Sequence, residues 1–181
     1  MGYTHYVKSV DSPSSLEDAL KIREQISKVL DRNKKFIQYD DDLPYAPENS
    51  IIFDKEDNAQ NLVRFNGIEE DGHETFYINS GFEDGFNFCK TNRKSYDLAV
   101  CECLIIFKHF LNADVSSDGF SSYQSDMFLP YKDGDIVRDV DVDGMWAVAA
   151  ENINNQLGTK YKFVCTDVDN RCIEYTLKNI N

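Results

Sequence analysis

Phe86–Leu111 reads FNFCKTNRKSYDLAVCECLIIFKHFL, and its two halves differ in kind. From Tyr96 onward the apolar run is interrupted only by Asp97, Glu102, Lys108 and His109. A helix that is apolar on nearly every side belongs in an interior. At about 16 residues the run is shorter than the roughly 20 that a membrane span needs. We therefore expect a buried central helix over about 94–111. Ser95 would be its N-cap, and Asp97 would suit the positive end of its dipole. Upstream, Lys90-Thr91-Asn92-Arg93-Lys94 places three cations in five residues of a chain whose net charge is −13. A cationic loop feeding a helix start offers charge, hydroxyls and backbone N–H groups to an anion. The same charges would also serve as plain solvated surface. Neither GxGxxG nor GxxxxGK[ST] occurs in the chain, so no nucleotide-loop fingerprint applies.

Outward from this stretch, the residues alternate between strand and helix periods. Tyr3, His5 and Val7 would share one face of a first strand, and Thr4, Tyr6 and Lys8 the other. Ser14 and Glu17 read as a capping box that opens an amphipathic helix running to about residue 32. A short apolar run, Phe36–Tyr39, precedes a loop at Asp40–Asp42, Pro44 and Pro47–Asn49. Ile51–Phe53, Leu62–Gly67 and Thr75–Ile78 are strand candidates, with turns at Asp57-Asn58 and Glu69–His73. In order they suggest an antiparallel meander, which leads through Gly81 and Gly85 into Phe86–Cys89.

Beyond the central helix, Ala113–Ser116 reads as a short strand and residues 117–135 as a long irregular loop. Gly144–Leu157 returns to a helix that Gly158 ends. Tyr161–Cys165 and Cys172–Leu177 form a hairpin around Asp169-Asn170. No repeat or linker divides the chain. The expectation is one α+β domain over residues 1–181, a mostly antiparallel sheet packed against the central helix, with two further helices.

Composition narrows the function classes. Hydrophobic residues at 41% can build a core, which excludes a disordered acidic tail. The acidic balance argues against direct nucleic-acid binding, which wants a basic face. Residues 1–12 do not resemble a signal peptide and no apolar run reaches span length, so a cytoplasmic protein off the membrane is expected. The five cysteines, Cys89, Cys101, Cys103, Cys165 and Cys172, include no CxxC pair. Cys101 and Cys103 would face different sides of a helix, so reduced core thiols are expected and no metal. Asp139–Gly144 carries the D-x-D-x-D-G opening of a calcium loop, but its twelfth position is Ala150 rather than a carboxylate. Asp118 either faces a ligand or makes an Asx turn. Cys89 beside the cationic loop is either an activated thiolate or a core thiol. With no catalytic motif and no cofactor motif, binding is favoured over enzymatic activity and no cofactor is expected.

Met1-Gly2-Tyr3-Thr4-His5-Tyr6, His73–Phe76, Phe88–Thr91, Arg93-Lys94, Tyr96-Asp97 and Ser117–Gly119 together resemble a family of short bacteriophage and prophage proteins that begin MGYTHY. The chain departs from that family at Val7, where the family has Trp, and at Ser95, where it has Pro. The resemblance implies a phage or mobile-element setting, hence the cytoplasm of a host cell, and names no reaction. If the first strand lies beside the central helix, Tyr3, His5, Lys90, Thr91, Arg93, Lys94, Tyr96 and Asp118 would line one cleft. Cations for phosphate, aromatics for a base and a carboxylate for a sugar or base edge would suit a nucleotide-like anion. In a phage setting such a protein would sequester a host defence signal, with Tyr3, Tyr6 or Tyr96 stacking. The alternative is an acidic protein that covers the basic surface of a host protein. That reading rests on the net charge and on the Asp clusters at 40–42 and 133–143.

Overall fold

A computed structural model describes residues 3–38, 61–79, 87–123, 131–169 and 172–180. The expected loop at Asp40–Asp42 and Pro47–Asn49, the strand Ile51–Phe53, the turn Asp57-Asn58, the glycines Gly81 and Gly85 and the hairpin residue Asn170 lie outside them. The fold is α+β with antiparallel strand pairing. The chain separates into two compact units, one up to Val115 and one from Ser116 onward.

The first unit holds β1 (Thr4–Val7), α1 (Leu16–Asn33), β2 (Ile37–Gln38), β3 (Asn61–Gly67), β4 (Phe76–Asn79), β5 (Asn87–Lys90) and α2 (Asp97–Leu111). β1 pairs antiparallel with β5, and β2, β3 and β4 form a second sheet in that order. On its other side β1 is held by backbone bonds that join Lys8 and Ser9 to Asp114 at 3.0 and 3.1 Å. Tyr3, His5 and Val7 turn inward together, as the period of two requires.

α1 begins one residue later than the capping box suggests. Ser15 is the N-cap and accepts from the Asp18 backbone N–H at 3.1 Å. Glu17 does not reach back, because its carboxylate pairs with Lys21 at 2.9 Å, four residues on. α1 packs on α2, and its Ile22, Ile26, Val29 and Leu30 are buried.

α2 is buried along almost its whole length. It starts at Asp97, three residues later than expected, and Ser95 is not its cap. Asn92 and Arg93 both take positive φ, 52° and 58°, and fold the chain into turns ahead of the helix. Those turns close through Lys94 N–H to Thr91 O and Asp97 N–H to Lys94 O. The Ser95 hydroxyl donates to Asp71 instead, at 2.8 Å. Within α2, Glu102 is fully buried. It accepts from the Arg32 guanidinium at 3.0 to 3.3 Å and from the Asn33 amide at 2.9 Å. Asn112, in the left-handed region, ends the helix.

β6 (Val115–Ser117) runs across the boundary into the second unit, which holds β7 (Ser121–Tyr123), α3 (Gly144–Leu157), β8 (Tyr161–Asp169) and β9 (Cys172–Asn179). The region expected to be an irregular loop thus contains a strand, since β7 pairs with β9, and β9 pairs in turn with β8. Trp146, Phe163, Phe120 and Tyr175 form the core of this unit, ring against ring at 4.7 to 6.5 Å. Asp139 and Asp141 form a short 3-10 turn. Their carboxylates are paired with Lys162 and Arg138. No helix among the described residues is long and apolar enough to cross a membrane.

Candidate functional site

Several of the residues singled out in the sequence meet at the end of β1. The Tyr3 carbonyl accepts from the N–H groups of Thr91 and Asn92, at 3.1 and 3.2 Å, which fastens the cationic loop to the first strand. Glu74 fastens it from the other side. Its carboxylate accepts from Lys90 N–H at 2.7 Å, and its carbonyl accepts from the Tyr96 hydroxyl at 2.8 Å. The blocks around residues 3, 74, 90 and 96 are therefore neighbours in space.

Beneath this loop lies a buried polar cluster. The His5 Nε2 atom is 2.6 Å from Asp97 Oδ1, and the Thr91 hydroxyl donates to the same oxygen. The Cys101 Sγ atom approaches the same His5 nitrogen at 3.9 Å. The Tyr3 ring stands edge-on to the imidazole, with centroids 5.2 Å apart. His5, Thr91, Asp97 and Cys101 are all at most 1% exposed. Asp97 Oδ2, equally buried, has no hydrogen-bond partner among the described residues. Asp97 and Cys101 are four residues apart on α2, the spacing that stacks two side chains on one face. Because both approach one ring nitrogen, the cluster is not a thiol–imidazole–carboxylate relay, which uses the two ring nitrogens separately.

Above the cluster the guanidinium of exposed Arg93 lies 4.0 Å from the Tyr3 ring centroid. Lys94 is directed to the Glu70 carbonyl at 3.0 Å. No family model matches this chain, and no curated protein or solved structure matches it either. The site is therefore read from its own geometry.

That geometry sorts the expected residues. Tyr3, His5, Thr91 and Arg93 come together, with Lys90 and Lys94 on the same loop. Tyr96 is fully buried and presents no face to solvent. Asp118 is exposed and belongs to the second unit. Cys89 is a buried thiol. Burial first, and then the Glu74 carboxylate, push its pKa up, opposite to what an activated nucleophile needs.

The solvent face of the β1–β5 ladder adds Thr4 and Phe88 to Tyr6 and Lys90, which were singled out. The register sets Tyr6 opposite Phe88 and Thr4 opposite Lys90. Phe88 is 51% exposed, and Tyr6, Thr4 and Lys90 are half-buried. Beside them a small pocket, walled by β1, β4, β5 and α2, is lined by His5, Phe76, Tyr77, Phe88, Cys89 and Leu104. The alternation of Tyr6 and of Phe88 was visible in sequence. Their pairing depends on register, which alternation alone does not specify.

Proposed function

We propose that the first unit binds a small anionic, nucleotide-like ligand on the solvent face of the β1–β5 ladder. The observation that carries this reading is the register that sets Tyr6 against Phe88 and Thr4 against Lys90. Two aromatic rings on adjacent strands form a platform for a base, and such stacking is worth about 1–3 kcal/mol per base. Lys90, Arg93 and Lys94 supply charge for phosphate from the same end of the ladder. Arg93 is the strongest of the three, since a planar guanidinium meets phosphate through two parallel bonds. Tyr6 and Phe88 take the stacking role, and Tyr3 backs Arg93. The resemblance to phage proteins favours a host defence nucleotide as the ligand, held rather than converted.

Thermal unfolding against mononucleotides, cyclic di- and trinucleotides and ADP-ribose derivatives tests this reading. A ligand at 100 times its Kd should stabilise the protein by about 2.7 kcal/mol. Phe88→Ala and Arg93→Glu should each remove the shift while leaving the unliganded midpoint within a few degrees. No shift with any member of the panel would overturn the reading. Capture of a basic host protein, released by salt, would then favour the acidic-inhibitor alternative.

A further inference from the structure

We infer that His5, Asp97 and Cys101 form a binding site for a divalent transition-metal cation of the zinc type. Three donors of suitable chemistry, an imidazole nitrogen, a carboxylate oxygen and a thiol sulfur, lie within 4.8 Å of one another. In a tetrahedral zinc centre such donors stand roughly 3.3 to 3.6 Å apart. The observed His5–Cys101 separation, 3.9 Å, differs from that by less than a side-chain adjustment.

The second observation is the unpartnered Asp97 Oδ2. A carboxylate oxygen buried without any donor is costly in a protein interior, and a cation satisfies it. The first carboxylate oxygen already accepts from the Thr91 hydroxyl, which orients the group as an outer-sphere donor orients a metal ligand. The mixed thiolate, imidazole and carboxylate set selects a zinc-like ion over calcium or magnesium, which prefer oxygen alone. The pocket among β1, β4 and β5 has His5 in its wall, on the side of the cluster away from the cationic loop's turns.

On binding, the metal takes the lone pair of His5 Nε2 in place of that atom's contact with Asp97, the imidazole keeps its proton on Nδ1, and the thiol proton of Cys101 is displaced to solvent. Affinity therefore rises with pH. Three protein donors leave one tetrahedral position for water or a small anion. The inference does not rest on the nucleotide reading, because the ladder's solvent face contributes none of these donors.

Cobalt(II) titration of the reduced full-length protein, followed by absorption, tests the site. The expected result is a thiolate-to-cobalt charge-transfer band that saturates at one equivalent and is abolished by zinc. Cys101→Ala should lose the band and Cys103→Ala should keep it. Thr91→Val should weaken binding by about tenfold or more, as loss of an orienting partner does. Should Cys101→Ala not fold, as judged by circular dichroism, His5→Gln provides the second variant, with a displaced band and weakened binding expected. Absence of the band in the folded wild type would overturn the inference and leave the cluster as a polar anchor. So would a band that survives unchanged in Cys101→Ala or in His5→Gln.

Discussion

Single residues account for most of what is unusual in this protein. Asp97 occupies the start of α2, where a carboxylate is favoured by the helix dipole, yet it is wholly buried. It ties β1 to the helix through His5 and to the loop through Thr91, so one carboxylate sets the geometry of three segments. The buried thiols behave differently. Burial pushes the pKa of Cys89 and of Cys103 above the ordinary thiol value. A folded pKa raised above the unfolded one adds stability that is fully present below the unfolded value and is lost as pH rises past it. Each pH unit above about 8.5 should then cost roughly 1.4 kcal/mol per buried thiol. The unfolding midpoint is expected to fall steadily from about pH 8.5 upward, and Cys103→Ala should flatten the slope. A midpoint independent of pH in that window would mean that these thiols titrate normally in the folded chain.

At the scale of elements, two contacts decide how the first unit is assembled. The first is the close approach at the end of β3. A Cβ on Gly67 would stand 2.3 Å from the Asp71 carbonyl and 2.7 Å from the Tyr96 ring. Neither can move freely, since Asp71 anchors Ser95 and Tyr96 is locked through Glu74. Gly67→Ala should therefore destabilise by about 2–3 kcal/mol in urea denaturation, as overpacking does. The second is the join between α1 and α2, where Arg32 and Asn33 meet Glu102. Arg32→Ala would remove the cation that faces a buried carboxylate. A loss of about 3 kcal/mol is expected, read as a lower urea midpoint at unchanged slope. An effect within about 0.5 kcal/mol, the scale of ordinary surface changes, would mean that this pair does not hold α1 to α2.

For the whole molecule the governing quantity is charge. A net charge of −13 on 181 residues repels itself, and the repulsion acts against the compact state. Screening shortens from about 30 Å at 0.01 M salt to about 8 Å at 0.15 M. The unfolding midpoint should accordingly rise between those salt concentrations. A fall would show that ion pairs such as Lys162–Asp139 and Lys21–Glu17 outweigh the repulsion. Against that charge, Lys90, Arg93 and Lys94 place three cations within five residues.

The sequence by itself determined the kinds of element. The all-round apolar run predicts α2, the alternation around His5 predicts β1, and Gly158 at φ 69° stands where the helix before it was expected to stop. These signals are local, because a side chain's period depends only on its own backbone. Helix starts were legible to within a few residues. Ser15 displaced Ser14 because Glu17 found Lys21, and Asp97 displaced Lys94 because the chain turns through Asn92 and Arg93. Tertiary structure alone decided the partners. His5 and Asp97 are 92 residues apart, and Arg32 and Glu102 are 70 apart. Tyr6 meets Phe88 only because β1 and β5 pair in one register and not the next. Periodicity states which face is buried, but the residue that face meets follows from how distant elements pack, and no local pattern carries that information.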